Sequence, residues 1–466
     1  MHTLRAPFDG RDLLAAAAGV VLAALGAIAI TAPGTALGPS RVLAALAAAL
    51  LVVAALASPR AGLVLAVLSL GLPLHAELAG VDVRLGHLLL AAYVLRVTIE
   101  VGFGEARVPR SMALPLALVL FSAVLASIAG PRTGSSLFSL FDVFFLPFAA
   151  GLALATALDP HRDMRLLVLA LAGSLVLAAG AAVMQSAGFV AGPLEPVEEG
   201  RANGLYEHTN VLSGFVAPLT ALLIGVAACA WREIRLAPVV LLGPVLLGVA
   251  AVALTLSRGA LVGLAAGMVV MIALLFARRQ VAALLAVGLV VLAALFVALP
   301  QVPESQRSAF AERFQRLFQP GTELGRELVY TQALEAIREH PLTGLGPLTF
   351  GRLTRERTTI GDIEPGREHA HNLLFESYLS LGPLGALGLL WLIGSSAWRY
   401  IRATRPGPTA DPLIIGWAVG ALAALSVMLV QGIGDFVFSN LEPLGLLLLV
   451  LAVPHARRFG PVSWAP

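Results

Sequence analysis

Two kinds of side chain stand where this sequence could do chemistry. One is a histidine at the edge of an apolar helix. His371 and Asn372 lie in REHAHNLLFESYLSLGPLG (367–385), where the longest polar segment runs back into an apolar stretch, and Glu376 follows about one turn later. An imidazole on the first turn of a helix is held rigidly yet still accepts or donates a proton. His371 therefore suits a general base or a hydrogen-bond donor to a hydroxyl. Glu368 and Glu376 are near enough in sequence to orient it or balance its charge. The other kind is arginine: Arg201 in RANGLYEHTN (201–210), Arg258 in LSRGA (256–260) and Arg326 near the start of GRELVYTQALEAIREHP (325–341). A guanidinium stays charged and presents a planar fork of donors, which fits it to phosphate oxygens. Lipid headgroups and helix ends are the competing partners for each of them.

The elements that must position these groups belong to a membrane protein. Of 466 residues, 58% are hydrophobic and 13% charged, and the mean hydropathy is +0.88. That is more apolar surface than a soluble chain of this length needs. The net charge of +3 comes from arginine alone, since the chain has no lysine. No clustered basic face of the kind nucleic acid requires is present. Cys229 is the single cysteine, which excludes a disulfide framework and a cysteine metal site. No zinc-type set is expected either, because His369 and His371 lack the i,i+4 spacing of helical ligands. No P-loop is found, and no cofactor is expected.

Fourteen apolar stretches are long enough, or nearly so, to span a bilayer: 12–31, 41–58, 60–74, 85–101, 111–130, 137–158, 164–187, 210–231, 236–256, 259–277, 281–299, 372–395, 411–433 and 436–453. The third and fourth are the shortest. The first resembles a signal peptide but reads better as a retained helix. With the N-terminus inside, seventeen arginines fall in inner segments against five in short outer loops (Arg41, Arg84, Arg132, Arg201 and Arg258). This bias predicts both termini inside and 300–371 outside. The fold class expected is thus an all-α polytopic membrane protein with about 12–14 transmembrane helices. Residues 1–299 form a bundle of about eleven, 300–371 a small helical outer domain, and 372–466 about three more helices and a tail.

The outer segment carries nine arginines against ten acids. Phe310, Phe314, Leu317 and Phe318 share one helical face, and Leu328, Leu334 and Ile337 mark a second apolar stripe that stops at Pro341. HPLTGLGPLTFG (340–351) reads as a turn punctuated by glycine and proline. Three acids are uncomfortable in a bilayer: Asp142, Glu376 and Asp435, the last in the turn joining the final two helices. Such acids are expected to brace arginines, or, for Asp435, to cap a helix.

From its second half the chain resembles the O-antigen ligase and polymerase family of glycan-transferring membrane proteins. The resemblance rests on His371-Asn372 followed, after nine residues, by Gly382-Pro-Leu-Gly385, together with RANGLYEHTN, LSRGA and GRELVYTQALEAIREHPLTGLG in that order. One departure is His208-Thr209-Asn210, where many relatives have a proline before the asparagine; Asn210 is kept as a substrate contact. The family resemblance implies a metal-independent glycosyltransferase of GT-C-like helical type in the bacterial inner membrane, acting at the periplasmic face. The donor would be a glycan on undecaprenyl pyrophosphate. The acceptor would be a sugar hydroxyl of lipid A–core in a ligase, or a second lipid-linked repeat unit in a polymerase. Carried over by motif, His371 serves the acceptor, and Arg201, Arg258 and more weakly Arg326 hold the pyrophosphate. Asn372, Glu376 and Asp435 join the substrate-binding set.

Two other classes compete. A lipid-linked glycan transporter predicts charged groups at the bilayer midplane and two related halves. Here the polar residues gather at the outer surface, and no internal repeat is found. An inert scaffold leaves Arg258 and His371 without a purpose.

Overall fold

A computed structural model describes residues 39–78, 81–189, 201–231, 233–234, 238–280, 324–357, 369–405, 411–457 and 459, with 282, 285, 288 and 289. In chain order the helices are α1 (Pro39–Ala57), α2 (Pro59–Leu70), α3 (Leu85–Gly102), α4 (Arg110–Ala129), α5 (Thr133–Ala157), α6 (Pro160–Ser186), α7 (Thr209–Ala230), α8 (Gly243–Thr255) and α9 (Arg258–Ala277). They continue with α10 (Leu324–Glu339), α11 (Thr349–Arg357), α12 (Leu373–Ala403), α13 (Pro412–Gly434) and α14 (Leu441–Ala452). Twelve of the fourteen apolar stretches fall on these helices. The stretch 12–31 lies outside the described residues, as does nearly all of 281–299 and the expected helix around Phe310–Phe318. Among the described residues, eight helices are long and apolar enough to cross a membrane, so the protein is multi-pass.

The two shortest stretches behave differently from a simple crossing. α2 has only twelve residues, and Gly62–Leu70 is buried throughout. A helix apolar on every side belongs inside a bundle. Between it and α3 the chain makes a small antiparallel hairpin, β1 (His75–Leu78) with β2 (Val81–Arg84), pairing Ala76 with Val83. This hairpin is the one departure from an all-helical fold among the described residues.

Local chemistry sets where helices begin. Ser58-Pro59, Asp159-Pro160 and Asp411-Pro412 each put a capping side chain before a proline at the first helical position, at the starts of α2, α6 and α13. These starts share one end of the bundle, where Arg60 meets Asp163, Arg165 meets Glu233 and His161 meets Asp411. Arg84, Arg201 and Arg258 gather at the opposite end, where α7 and α9 begin and α13 stops.

Small residues bring the central helices together. A Cβ on Gly225 of α7 would lie 2.4 Å from Gly420 Cα of α13, so the two backbones touch where nothing larger fits. α7 and α13 are buried on nearly all sides, whereas most of α9 faces outward. This approach fixes the start of α7 against the end of α13.

α10, α11 and the start of α12 form a satellite core of Val329, Ala333, Ala336, Leu345, Phe350 and Leu379. The expected apolar stripe on α10 is displaced. Leu328 and Leu334 are exposed, and the packed face is Val329, Ala333, Ala336 and Ile337. Alanines let the helix lie close to its neighbours, so the smaller side chains define the interface. α12 is also not continuous. Gly382 has φ +71° and breaks the helix before Pro383, and a Cβ there would sit 2.6 Å from the Thr343 carbonyl. The turn of 343–348 docks at this break, with Leu345 N–H donating to the Leu379 carbonyl at 2.7 Å.

Candidate active site

Four segments meet at the end of the bundle opposite the paired starts, and each is pinned by its own contacts. The 201–210 segment is gripped by Gln185, whose Oε1 accepts from Asn203 N–H at 3.0 Å and Gly204 N–H at 2.9 Å. Tyr206 Oη donates to the Leu70 carbonyl at 2.9 Å. The α8–α9 corner turns on Leu256, a non-glycine residue at φ +51°. The turn after α13 begins at Asp435.

The fourth segment, 369–372, carries the histidines. His371 itself has φ +47°, a left-handed backbone that a non-glycine residue adopts only when its surroundings enforce it. They do so from several sides. Asn372 Oδ1 caps α12 by accepting from Leu374 and Phe375 N–H, while its Nδ2 donates to the Ile433 carbonyl at 3.0 Å. Tyr330 of α10 donates to the carbonyls of Ile433 (3.2 Å) and His371 (3.4 Å). Glu376 is fully buried, and its carboxylate accepts from Ala370 N–H at 2.8 Å and Ser380 Oγ at 2.5 Å. The polar atoms of Asn372 and Glu376 are therefore spent on the protein.

One chain of hydrogen bonds joins the histidine to an arginine. His371 Nδ1 lies 3.0 Å from Asp435 Oδ1, and Asp435 Oδ2 accepts from Asn210 Nδ2 at 2.7 Å. Asn210 Oδ1 accepts from Arg201 Nη2 at 3.1 Å, and Arg201 Nε donates to the Thr255 carbonyl at 2.9 Å. An ionised carboxylate only accepts, so His371 Nδ1 carries a hydrogen and donates it to Asp435. His369 Nε2 sits 3.5 Å from the same Asp435 oxygen, and the two imidazole rings are 4.5 Å apart. Burial favours the neutral form of Asp435. Hydrogen bonds from His369 and His371, and then their charges, outweigh it and hold its carboxyl well below the usual range.

Arg258 joins this end from the first residue of α9, half-buried and three positions after Thr255. Packing of Gly259 against Gln431 seats it on the turn of α13 that ends in Asp435. A positive side chain on a first helical turn opposes the helix dipole, and Ser257 gives this helix no side-chain cap. The uncapped amides of this first turn add the partial positive charge of a helix start beside the guanidinium.

Of the residues singled out in the sequence, Arg201, Asn210, Asp435 and His371 are linked directly, and Arg258, Asn372 and Glu376 surround them. Arg326 lies in the first turn of α10, and its side chain, like Glu368, lies outside the described residues. Asp142 is exposed rather than bracing an arginine; its carbonyl contacts His87. Asp435 follows α13 and caps no helix start. The spacing argument against a metal also needs revision. His369, His371 and Asp435 offer ligand atoms within 4.8 Å of one another, the third arriving from 64 positions away. Asp435 Oδ1 already meets both imidazoles and Phe436 N–H, however, so a cation would have to displace the histidine contacts. Sequence reading missed the Thr255 carbonyl, Gln431 and Tyr330. Only Tyr330 had a signal, since it lies within GRELVYTQALEAIREHP.

Residues 243–390, about a third of the chain, match a family model described as O-antigen ligase. The match contains Arg258, Arg326 and His371 but neither Arg201, Asn210 nor Asp435. No curated protein matches the chain.

Proposed function

We propose that the chain is a member of the O-antigen ligase and polymerase family, whose model matches residues 243–390, and that it is an inverting, metal-independent glycosyltransferase that works as a ligase. It takes a glycan from undecaprenyl pyrophosphate and joins it to a sugar hydroxyl of lipid A–core. The bundle is GT-C-like, with 12–14 helices, and sits in the bacterial inner membrane with both termini cytoplasmic. The end bearing Arg201, Arg258 and His371 faces the periplasm, with the 300–371 segment above it. The observation carrying this reading is the unbroken chain Arg201–Asn210–Asp435–His371.

The chemistry follows from the residues. Arg201 and Arg258 neutralise the diphosphate as the bond to the anomeric carbon breaks, which lowers the barrier where negative charge develops. Arg326 adds a third contact to the same group. His371 Nε2 accepts the proton from the acceptor hydroxyl as its oxygen bonds to that carbon, and Asp435 orients the imidazole and stabilises its charged form. One displacement, with base and leaving group on opposite faces, inverts the configuration. Asn210 links the two halves of the site; Asn372 and Glu376 fix the backbone of the histidine segment.

Purified protein supplied with polyprenyl-linked donor and two rival acceptors, lipid A–core and a second lipid-linked repeat, tests this in the presence of a chelator. Transfer to lipid A–core is expected. Transfer only to the second repeat makes the protein a polymerase, and dependence on added divalent metal overturns the metal-free mechanism.

A further inference from the structure

His369, His371 and Asp435 are arranged like an open metal site. Their ligand atoms, one from each side chain, lie within 4.8 Å of one another. His371 Nδ1 is 3.0 Å and His369 Nε2 3.5 Å from the same Asp435 oxygen, Oδ1. Zinc, bonded to nitrogen and oxygen at about 2.0–2.1 Å, sets its tetrahedral ligands about 3.3 Å apart. The two contacts to Asp435 bracket that spacing. A cation therefore enters by replacing the hydrogens shared with the carboxylate and drawing the two rings together. Both imidazoles are half-buried, which admits a water molecule as fourth ligand.

The surroundings supply what a metal site needs beyond its ligands. Ala370, between the two histidines, is fully buried, and its N–H is held by Glu376. Asn372 and Tyr330 tie the same segment to the end of α13. Asp435 Oδ2 accepts from Asn210 Nδ2 at 2.7 Å and Oδ1 from Phe436 N–H at 2.8 Å, so the carboxylate is oriented from behind, as ligating carboxylates are. Two imidazoles and one carboxylate select a first-row transition ion such as Zn²⁺. Mg²⁺ and Ca²⁺ take oxygen ligands instead.

We propose that this cluster is an inhibitory Zn²⁺ site, in which the metal and the acceptor's proton compete for His371. The proposal rests on the glycosyltransferase reading above, where His371 takes the proton on Nε2 while its Nδ1–H faces Asp435. Zinc on Nδ1 moves that hydrogen to Nε2 of the neutral ring, and His369 likewise binds through Nε2 with its hydrogen on Nδ1. His371 then has no lone pair to offer the hydroxyl, and the charge of Asp435 is spent on the metal. Transfer stops although the arginines assigned to the diphosphate are untouched.

The test measures metal binding and transfer separately, on the purified full chain. Zn²⁺ alone is titrated by calorimetry into chelator-stripped protein without donor or acceptor, and Co²⁺ serves as a spectroscopic stand-in. Wild type is expected to bind Zn²⁺ saturably and to give the intense visible bands of four-coordinate Co²⁺. His369→Gln loses a ligand and should bind at least about 100-fold more weakly, and Asn210→Ala, which only releases the carboxylate, about tenfold. His161→Gln, at the opposite end, binds as wild type. Melting temperatures confirm that each variant is folded. In transfer assays Zn²⁺ inhibits the wild type and chelator reverses it, whereas the remaining transfer by His369→Gln needs at least about 100-fold more Zn²⁺ for the same inhibition. Equal zinc affinity in wild type and His369→Gln, or transfer unaffected by Zn²⁺ that fills the site, overturns the proposal and leaves the glycosyltransferase reading standing. Stimulation by Zn²⁺ overturns both the proposal and the metal-free mechanism. Absence of transfer from metal-free protein, with the zinc-binding pattern intact, overturns the glycosyltransferase reading and leaves the metal site without its inhibitory role.

Discussion

The two ends of the bundle set their arginines in different surroundings. At the end where α2, α6 and α13 begin, arginines are closed into ion pairs with acids: Arg60 with Asp163 at 2.8 Å, Arg165 with Glu233 at 3.3 Å. Each pair staples neighbouring helices and needs nothing else. At the other end, Arg201 donates to the Thr255 carbonyl and to the Asn210 side-chain oxygen, which orient the guanidinium. Arg258 stands on a helix start that is already positive. Strained backbone is found there too, at Leu256 and His371. Arginines beside a backbone carbonyl, an amide and a histidine in the left-handed region set this end apart from the ion-paired one.

The sharpest way to break this contrast is to remove one group from the reactive end. Arg258→Ala and His371→Ala should each lower transfer by about 10³-fold, with melting temperature little changed. Normal turnover in either variant would erase the distinction between the ends. Asp435→Asn should cost about 10²-fold, since the imidazole loses its orientation and the charge beside it. Asp435 adds a pH signature. Its carboxyl is depressed, so its contribution to stability is complete above the ordinary carboxylate range near pH 4 and is lost only as pH falls below it. An acid limb in kcat/KM between pH 5 and 7 therefore belongs to another group, and pH–rate profiles check this.

Gly382→Ala forces a side chain into the left-handed region and against Thr343. It should destabilise by about 1–3 kcal/mol and loosen the turn that packs on α12, read by thermal denaturation. At the stapled end, Arg60→Ala leaves Asp163 buried without its partner. A loss of roughly 1–3 kcal/mol is expected, with transfer per folded molecule unchanged. A large fall in specific activity there would show that the two ends are not functionally separate.

Much of this was legible in the sequence, for physical reasons that differ by feature. Hydropathy found the helices because a bilayer demands long apolar runs. Arg201, Arg258 and His371 stood out because charge at the wrong place needs a reason. What stayed hidden depends on distance in the fold. Asp435 is 64 positions from His371, so its bond to Nδ1 could not be read from spacing. The Thr255 carbonyl has no residue-type signature at all. Leu328 and Leu334 looked like the buried face of α10 because hydropathy rewards bulk, whereas close packing selected Ala333 and Ala336. Gly382 was read within a helix, and only its contact with the 343–348 turn explains the break.

The division of labour between guanidinium and imidazole is tested most directly by the donor's equilibrium affinity. Titration of undecaprenyl-pyrophosphate-linked glycan into wild-type, Arg201→Ala, Arg258→Ala and His371→Ala proteins separates binding from catalysis. Both arginine variants should bind donor at least about tenfold more weakly, while His371→Ala binds it as tightly as wild type yet transfers nothing. Wild-type donor affinity in both arginine variants, or its loss in His371→Ala alone, would contradict a diphosphate held by arginine beside a histidine that serves the acceptor.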